Sequence, residues 1–283
     1  MNREHRKQLA EDTLRIIASG RYTPPRGETI DISAAIAACR SDTRLYTPER
    51  LQTLCEAARE PVPASAIARV EVVNETTLQG IAALVTDHGG ESVAALNFAS
   101  AKNPGGGFLG GAQAQEESLA RSSALYASQL DAPAFYERHR RSPSLLYSDA
   151  MILSPGCPVF RDDEGALLRR PQRVAFITAA APNAGAIRNQ RPAEVGAIES
   201  TLKRRAACVL ALAAERGFRH LVLGAWGCGV FRNDPARVAA TFADLLRDPA
   251  WSSRFDRVRF SVLDSSVPKL TFRAFETALR GIA

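Results

Sequence analysis

Val93-Ala94-Ala95-Leu96-Asn97 runs into Phe98-Ala99-Ser100-Ala101-Lys102-Asn103-Pro104-Gly105-Gly106-Gly107, and seven residues later the chain reads Gln115-Glu116-Glu117. A short apolar run that ends at a glycine loop is the pattern of a buried strand. A tight turn needs one glycine with positive φ; three in a row, with Gly110 and Gly111 behind them, exceed that need. Backbone amides without side chains around them can point at a sugar or a phosphate. Asn103 can offer a donor and an acceptor to a pair of ribose hydroxyls. Adjacent carboxylates directly behind such a loop supply acid and base, so the stretch suggests that a bond in the bound ligand is cut.

The texture continues in both directions. Arg69–Val73 alternates as a strand, and residues 76–86 carry a helical pattern. Residues 116–130 read as one helix with Leu119, Tyr126 and Leu130 inward, stopped by Asp131-Ala132-Pro133. Residues 150–153 and 174–178 read as further strands. Pro192 opens a long helix ended by Gly217, with Val195, Ile198, Leu202, Val209 and Leu212 on its buried face. Residues 220–224 form a strand that enters a second glycine loop, Pro235 opens another helix, and residues 258–263 are the last strand. This alternation predicts a three-layer α/β/α sandwich with a mixed, largely parallel central sheet. In such sheets ligands bind outside the carboxyl ends of the strands, where both glycine loops should converge. Ahead of this unit, Arg3–Ser19 reads as a helix closed by Gly20, residues 30–32 as a short strand, and Thr47-Pro48 as the start of a helix with Leu51, Leu54 and Cys55 on one face. Residues 1–60 are therefore expected to be a helical N-terminal extension packed on a catalytic domain of residues 61–283.

At 283 residues, 46% hydrophobic and 23% charged, the composition is that of an ordinary soluble globular chain. No apolar segment follows Met1-Asn2-Arg3-Glu4-His5-Arg6-Lys7, so no signal peptide is expected. The longest apolar run, residues 206–214, is far shorter than the ~18 residues a membrane span needs. The five cysteines (Cys39, Cys55, Cys157, Cys208, Cys228) are odd in number and lack Cys-x-x-Cys spacing. That argues against a disulfide framework or a zinc site and for a cytoplasmic location. His5, His88, His139 and His220 are scattered and read as structural or surface residues. A net charge of +6 favours an anionic partner. The early cations Arg3, Arg6, Lys7, Arg15, Arg21 and Arg26 read as a solvated helix face or, more sharply, as a landing strip for a polyanion. No aromatic residues interleave with them, so direct nucleic-acid binding is not expected.

Glu116 and Glu117 fall in the first turn of a helix, where acidic residues are in any case favoured by ~0.3–1 kcal/mol. Helical neighbours point about 100° apart and cannot form the opposed carboxylates, ~5 Å apart, of a retaining glycosidase. One glutamate should hold the substrate while the other transfers the proton. The second loop, Gly224-Ala225-Trp226-Gly227-Cys228-Gly229-Val230-Phe231, lies between a strand and a helix and has the look of a diphosphate cradle. It lacks the Gly-Lys-Ser/Thr ending of a nucleotide-hydrolysing phosphate loop and the Gly-x-Gly-x-x-Gly dinucleotide signature. Phe231 could pack on a ribose or lie in the core, and Trp226 and Cys228 read as packing residues. Glu75 or Asn74 could accept a hydrogen bond from an adenine amino group, with a helix cap from Asn74 the plain alternative.

Together these residues resemble the macrodomain-type poly(ADP-ribose) glycohydrolases of the compact bacterial branch. The match is specific at Gly105-Gly106-Gly107 and Gln115-Glu116-Glu117, and extends through Leu96–Pro104 ahead of them and Leu119, Arg121, Ser122, Leu125 and Tyr126 behind. The resemblance implies a macrodomain that binds ADP-ribose, with Glu117 as catalytic acid and Glu116 on the ribose at the scissile bond. Asn103 would hold the distal ribose, and Gly105, Gly106, Gly107 and Gln115 would line its path. Gly227, Cys228, Gly229 and Val230 would approach the diphosphate through backbone amides, Phe231 would order the terminal ribose, and Glu75 would serve adenine. The implied reaction is hydrolysis of ribose–ribose O-glycosidic bonds, releasing ADP-ribose from chain ends, with no metal or cofactor. The cycle needs a raised carboxyl pKa, expected at Glu117 from burial and the neighbouring Glu116. The expected partners are poly(ADP-ribose), ADP-ribose and ADP-ribosylated proteins, with no membrane. A reader that binds ADP-ribose without cutting it, and a hydrolase of mono-ADP-ribosyl groups, remain open as alternatives.

Overall fold

The computed structural model of the chain describes residues 1–58 and 68–282. Helices α1 (Arg3–Ser19), α2 (Ser33–Asp42) and α3 (Pro48–Ala57) open the chain. A two-stranded ribbon, β1 (Arg21–Tyr22) and β2 (Ile30–Asp31), follows α1, and strand β3 (Arg44–Tyr46) separates α2 from α3. Then come β4 (Arg69–Val73), α4 (Thr77–His88), β5 (Val93–Phe98), α5 (Gln115–Ser122), α6 (Leu125–Leu130) and α7 (Pro133–Arg141). The second half holds β6 (Met151–Arg161), β7 (Leu167–Ala179), α8 (Ala184–Gln190), α9 (Ile198–Glu215), β8 (His220–Leu223), α10 (Pro235–Arg247), α11 (Pro249–Ser252), β9 (Arg257–Ser261) and α12 (Leu270–Leu279).

Seven strands form one sheet in the order β3-β6-β7-β5-β8-β9-β4. The neighbours from β7 to β4 run parallel, while β6 pairs antiparallel with both β3 and β7. The sheet is mixed and largely parallel, as the alternation predicts. Period-two burial divides its side chains between two cores. Ala94 and Leu96 of β5 join Ala175 and Ile177 of β7 under α3, α9, α10 and α12. Val93 and Ala95 join Val174 and Phe176 under α1, α2, α4 and α5. The apolar run at 206–214 is the buried face of α9.

Several sequence expectations change. The single helix expected over 116–130 breaks at Ser123, which is extended and bridges Val159, while the Ala124 amide donates to the Pro158 carbonyl at 3.1 Å. The chain therefore turns, and Leu130 is left 49% exposed rather than inward. Val195 sits in a 3-10 turn, Pro192–Ala197, ahead of α9, and is exposed. Thr76, not Asn74, caps α4, in a capping box with Gln79. Asn74 instead zips to Asp264, donating to its carbonyl and accepting from its amide, each at 3.0 Å. The domain boundary expected at residues 60 and 61 lies outside the described residues. The segment before it is more than a helical appendage, because β3 is hydrogen-bonded to β6 as the edge strand of the sheet.

Candidate active site

Strands β5 and β8 are parallel neighbours, with Ala94 opposite Leu221. Their carboxyl ends are thus adjacent, and the two glycine loops open on one cleft of about 730 Å³. That volume lies within the ~300–1,000 Å³ range of small-molecule sites. Asn103, Gly106, Gly107, Gln115, Glu116 and Glu117 line it from the first loop and α5, and Gly227, Cys228, Gly229, Val230 and Phe231 from the second.

Gly105 and Gly106 are both left-handed, with φ of +63° and +58°. A side chain at Gly106 has nowhere to go: a Cβ there would stand 2.4 Å from Glu117 Oε1 and 3.2 Å from Glu116 Oε2. The glycine run thus brings bare backbone against the two glutamates. The Gly107 amide donates to Glu117 Oε1 at 3.0 Å, and the Gly105 amide to Gln129 Oε1 at 2.8 Å. Asn103 is exposed at the rim; its carbonyl accepts from the Gly106 amide, and its side-chain amide makes no hydrogen bond among the described residues.

The two glutamates diverge as helical neighbours must. Glu116 is only 3% exposed. Its Oε1 accepts from Asn97 Nδ2 (3.1 Å) and Gln129 Nε2 (2.9 Å), and its Oε2 from the Ser100 amide (2.6 Å). Desolvation pushes its carboxyl up to about 7, against the downward pull of those three donors. The burial expected at Glu117 therefore falls on Glu116. Glu117 is half-buried on the cleft wall with Oε1 held by Gly107, and its Oε2 has no hydrogen bond among the described residues. It is the carboxylate left available to a ligand. Gln115, placed with the ligand contacts from sequence, commits its head group to the protein. Its Oε1 accepts from the Phe98 amide (2.8 Å), and its Nε2 donates to the Leu96 carbonyl (2.8 Å) and to Thr77 Oγ1 (3.2 Å). It pins the start of the loop to α5 and α4.

In the second loop, Gly227 (φ +71°) is packed against Ala181 and Asn233, and Gly229 faces open space. The Cys228 amide already donates to the Ala225 carbonyl at 3.1 Å, which takes it from the expected diphosphate donors. The amides of Gly229, Val230 and Phe231 have no acceptor among the described residues, so three consecutive N–H groups are open to an anion. Burial pushes the Cys228 thiol up to about 12, too high for a nucleophile at neutral pH. Trp226 is buried and donates from Nε1 to the Ala179 carbonyl at 3.0 Å, a packing residue as expected. Phe231 is half-buried with its ring 5.9 Å from that of Tyr147. Glu75 also lines the cleft, but both its oxygens meet Arg259 (2.6 and 2.8 Å) and Oε1 also accepts from Ser261 Oγ (2.8 Å). Any adenine contact there would have to share a carboxylate already bidentate on a guanidinium.

Sequence reasoning passed over Asn97, Ser100 and Gln129, the three anchors of Glu116. Asn97 alone carried a signal, a polar side chain inside an otherwise apolar strand. It also passed over Asp163, from the tip of the β6–β7 hairpin, which lines the cleft and accepts from Thr76 Oγ1 at 2.6 Å. Desolvation raises its carboxyl. Two of the early cations, Arg3 and Arg6, act on the site from behind. Arg3 Nε donates to the Gly110 carbonyl (2.9 Å) and Arg6 Nε to the Gly111 carbonyl (2.8 Å), while Thr13 Oγ1 donates to the Arg121 carbonyl (2.5 Å). Helix α1 thereby braces the first loop and α5. His139 and His220 are buried, as structural histidines are. Among the described residues no group of three or more His, Cys, Asp or Glu could hold a metal ion, and no helix is long and apolar enough to cross a membrane.

A family model described as the microbial-type PARG catalytic domain matches residues 10–162. Curated proteins include no match to the chain. The solved structure of poly(ADP-ribose) glycohydrolase from Thermomonospora curvata is 50% identical, with a TM-score of 0.92 over 97% of this chain and 99% of that one. The same enzyme bound to the inhibitor ADP-HPD is 49% identical, with a TM-score of 0.90 over the same shares. Poly(ADP-ribose) glycohydrolase from Deinococcus radiodurans in complex with ADP-ribose is 47% identical, with a TM-score of 0.82 over 87% of this chain and 97% of that one. With the family model covering more than half its length and these identities over nearly all of it, the chain belongs to the microbial-type PARG catalytic-domain family.

Proposed function

We propose that the chain hydrolyses the ribose–ribose O-glycosidic bonds of poly(ADP-ribose) and releases ADP-ribose from chain ends, with Glu117 as general acid and base. The observation that carries this reading is the asymmetry of the two carboxylates. Glu116 is fastened by three donors, whereas Glu117 is steadied at one oxygen by Gly107 and presents the other to the cleft. A module that only bound ADP-ribose would need the glycines but not a second, ligand-facing carboxylate. The ligands of the related structures, ADP-ribose and ADP-HPD, have the chemistry that such a cleft would take.

In this reading the open amides of Gly229, Val230 and Phe231 hold the diphosphate, and Asn103 and Phe231 frame the distal ribose. Glu116 fixes the ribose at the scissile bond. Glu117 gives its proton to the departing ribose oxygen as an oxocarbenium-like state forms, which the substrate's own diphosphate stabilises. The ionised Glu117 then takes a proton from the attacking water. Every step uses groups of this chain and its substrate, so no cofactor is called for. A cytoplasmic location is part of the reading. It is supported by five cysteines without a disulfide among the described residues, including Cys55 and Cys208 with Sγ atoms 3.4 Å apart.

Glu117→Gln tests the assignment. It should keep ADP-ribose affinity within about twofold and lose polymer hydrolysis by at least ~10². Undiminished release of ADP-ribose by that variant would remove Glu117 from the mechanism. Sizing the products from labelled poly(ADP-ribose) tests the direction of attack: free ADP-ribose marks cutting from ends, short oligomers internal cuts, and intact chains a reader.

A further inference from the structure

Four cations on segments bordering the cleft lining form two pairs, each tied by a hydrogen bond. Lys102 directly precedes Asn103, a lining residue, and its carbonyl accepts from Arg140 Nη1 at 2.6 Å. Arg232 directly follows Phe231, also a lining residue, and its carbonyl accepts from Arg188 Nη1 at 3.1 Å. The Tyr147 ring links the two segments: it lies 5.9 Å from the ring of Phe231 and 5.7 Å from that of His139, the residue before Arg140. All four side chains are exposed, and none forms an ion pair among the described residues. Arg232 is also held in a backbone conformation that non-glycine residues rarely adopt, φ +53°. Its stem lies across Gly185, where an added Cβ would come within 3.0 Å of Arg232 Cδ.

We propose that Lys102, Arg140, Arg188 and Arg232 form a subsite for the diphosphate of the polymer unit preceding the one released. The proposal rests on the function argued above. The leaving group in that reaction is a 2′ oxygen of an adenosine ribose, and the same ribose carries its own diphosphate on the 5′ carbon. A second dianion must therefore sit one sugar ring beyond the scissile bond, outside the cleft that holds the first unit. The rim beside Asn103 and Phe231 is where that ring emerges. Like charges gathered there repel one another, and a dianion between them relieves the repulsion. Guanidinium groups suit a diphosphate because their planar forks donate to two oxygens at once.

The test compares ADP-ribose with a dimer of two linked ADP-ribose units, binding being read without turnover in the Glu117→Gln background. The dimer should bind about tenfold more tightly than the monomer, and its affinity should fall more steeply with salt. Replacing the four cations together (Lys102→Gln, Arg140→Gln, Arg188→Gln, Arg232→Gln) should abolish the dimer's advantage and leave the monomer's Kd within about twofold. The salt comparison needs no change at the four cations and stands even if the quadruple variant folds poorly. Equal affinities and salt slopes for dimer and monomer before any cation is replaced would overturn the subsite. So would a quadruple variant that loses monomer affinity as much as dimer affinity, since the cations would then serve the unit inside the cleft. Failure of the catalytic reading looks different: Glu117→Gln would go on cutting the polymer.

Discussion

Gly106→Ala isolates what the glycine run does for the reaction. A Cβ at this position would lie 2.4 Å from Glu117 Oε1, 3.0 Å from Glu117 Cδ and 3.2 Å from Glu116 Oε2. Glu116 cannot retreat, because Asn97, Gln129 and the Ser100 amide hold it. The Glu117 carboxyl must move instead, by about 1 Å to reach an ordinary contact, and in doing so it strains its 3.0 Å bond from Gly107. Misplacing a reacting group by about 1 Å costs about 10² in rate. The backbone adds its own cost, since alanine in the left-handed region is disfavoured by roughly 1–2 kcal/mol. In a chain of this size that lowers Tm by about 2–4 °C and leaves the protein folded at 25 °C. Release of ADP-ribose from labelled polymer, measured under single-turnover conditions beside a thermal melt, separates the two effects. The expected result is a folded variant with kcat down about a hundredfold. A kcat within threefold of the parent, in a variant with the expected Tm, would refute the claim that close backbone approach positions Glu117.

Gly229→Ala is the matched contrast: its Cβ meets nothing within 4 Å, so Tm should hold within about 1 °C while ADP-ribose affinity drops about tenfold, measured by calorimetry, because only the ligand occupies that space. Glu116 gives a pH signature. Its folded carboxyl sits at about 7 against an ordinary 4.5, so its contribution to stability is fully present below pH 4.5 and is lost as pH rises through 7. Urea unfolding of the parent relative to Glu116→Gln should show that loss, on the order of 3 kcal/mol between pH 4.5 and 8; a flat difference would rule it out. Arg3→Ala with Arg6→Ala frees the Gly110 and Gly111 carbonyls, and should lower kcat about three- to tenfold with little change in ADP-ribose Kd.

Much of this architecture could be read from the chain because its signals are local. The apolar runs at β5 and β7, the proline at the start of α10 and the glycine after α1 each carry their information within a few residues. What could not be read depends on distant partners. Strand β6 continues through Ser154-Pro155-Gly156-Cys157-Pro158, a run of strand breakers, because its register with β7 shifts there and the irregularity accommodates them. The break between α5 and α6 has no local mark either. It is made by the Pro158 carbonyl and Val159, which take the Ala124 amide and bridge Ser123 from the same strand. The edge strand β3 is three residues long, too short for a periodicity to show.

The site follows the same rule. Gln115-Glu116-Glu117 stands out as a string, yet the string does not say which carboxylate is buried. Two adjacent helical glutamates are equivalent until tertiary contacts distinguish them. Here Asn97 comes from β5, Ser100 from the loop after it and Gln129 from α6, and all three converge on the first glutamate. Gly106 occupies the place where a side chain would otherwise crowd the second. The division of labour is therefore a property of the packing around the motif. A neighbour in the same family could keep every letter of the motif and still lose the reaction by changing Asn97 or Gln129. Replacing either by an apolar residue would leave Glu116 with fewer donors in the same low-dielectric pocket and no longer fastened on that side. The residues that decide which glutamate is fastened thus lie outside the signature, on β5 and α6.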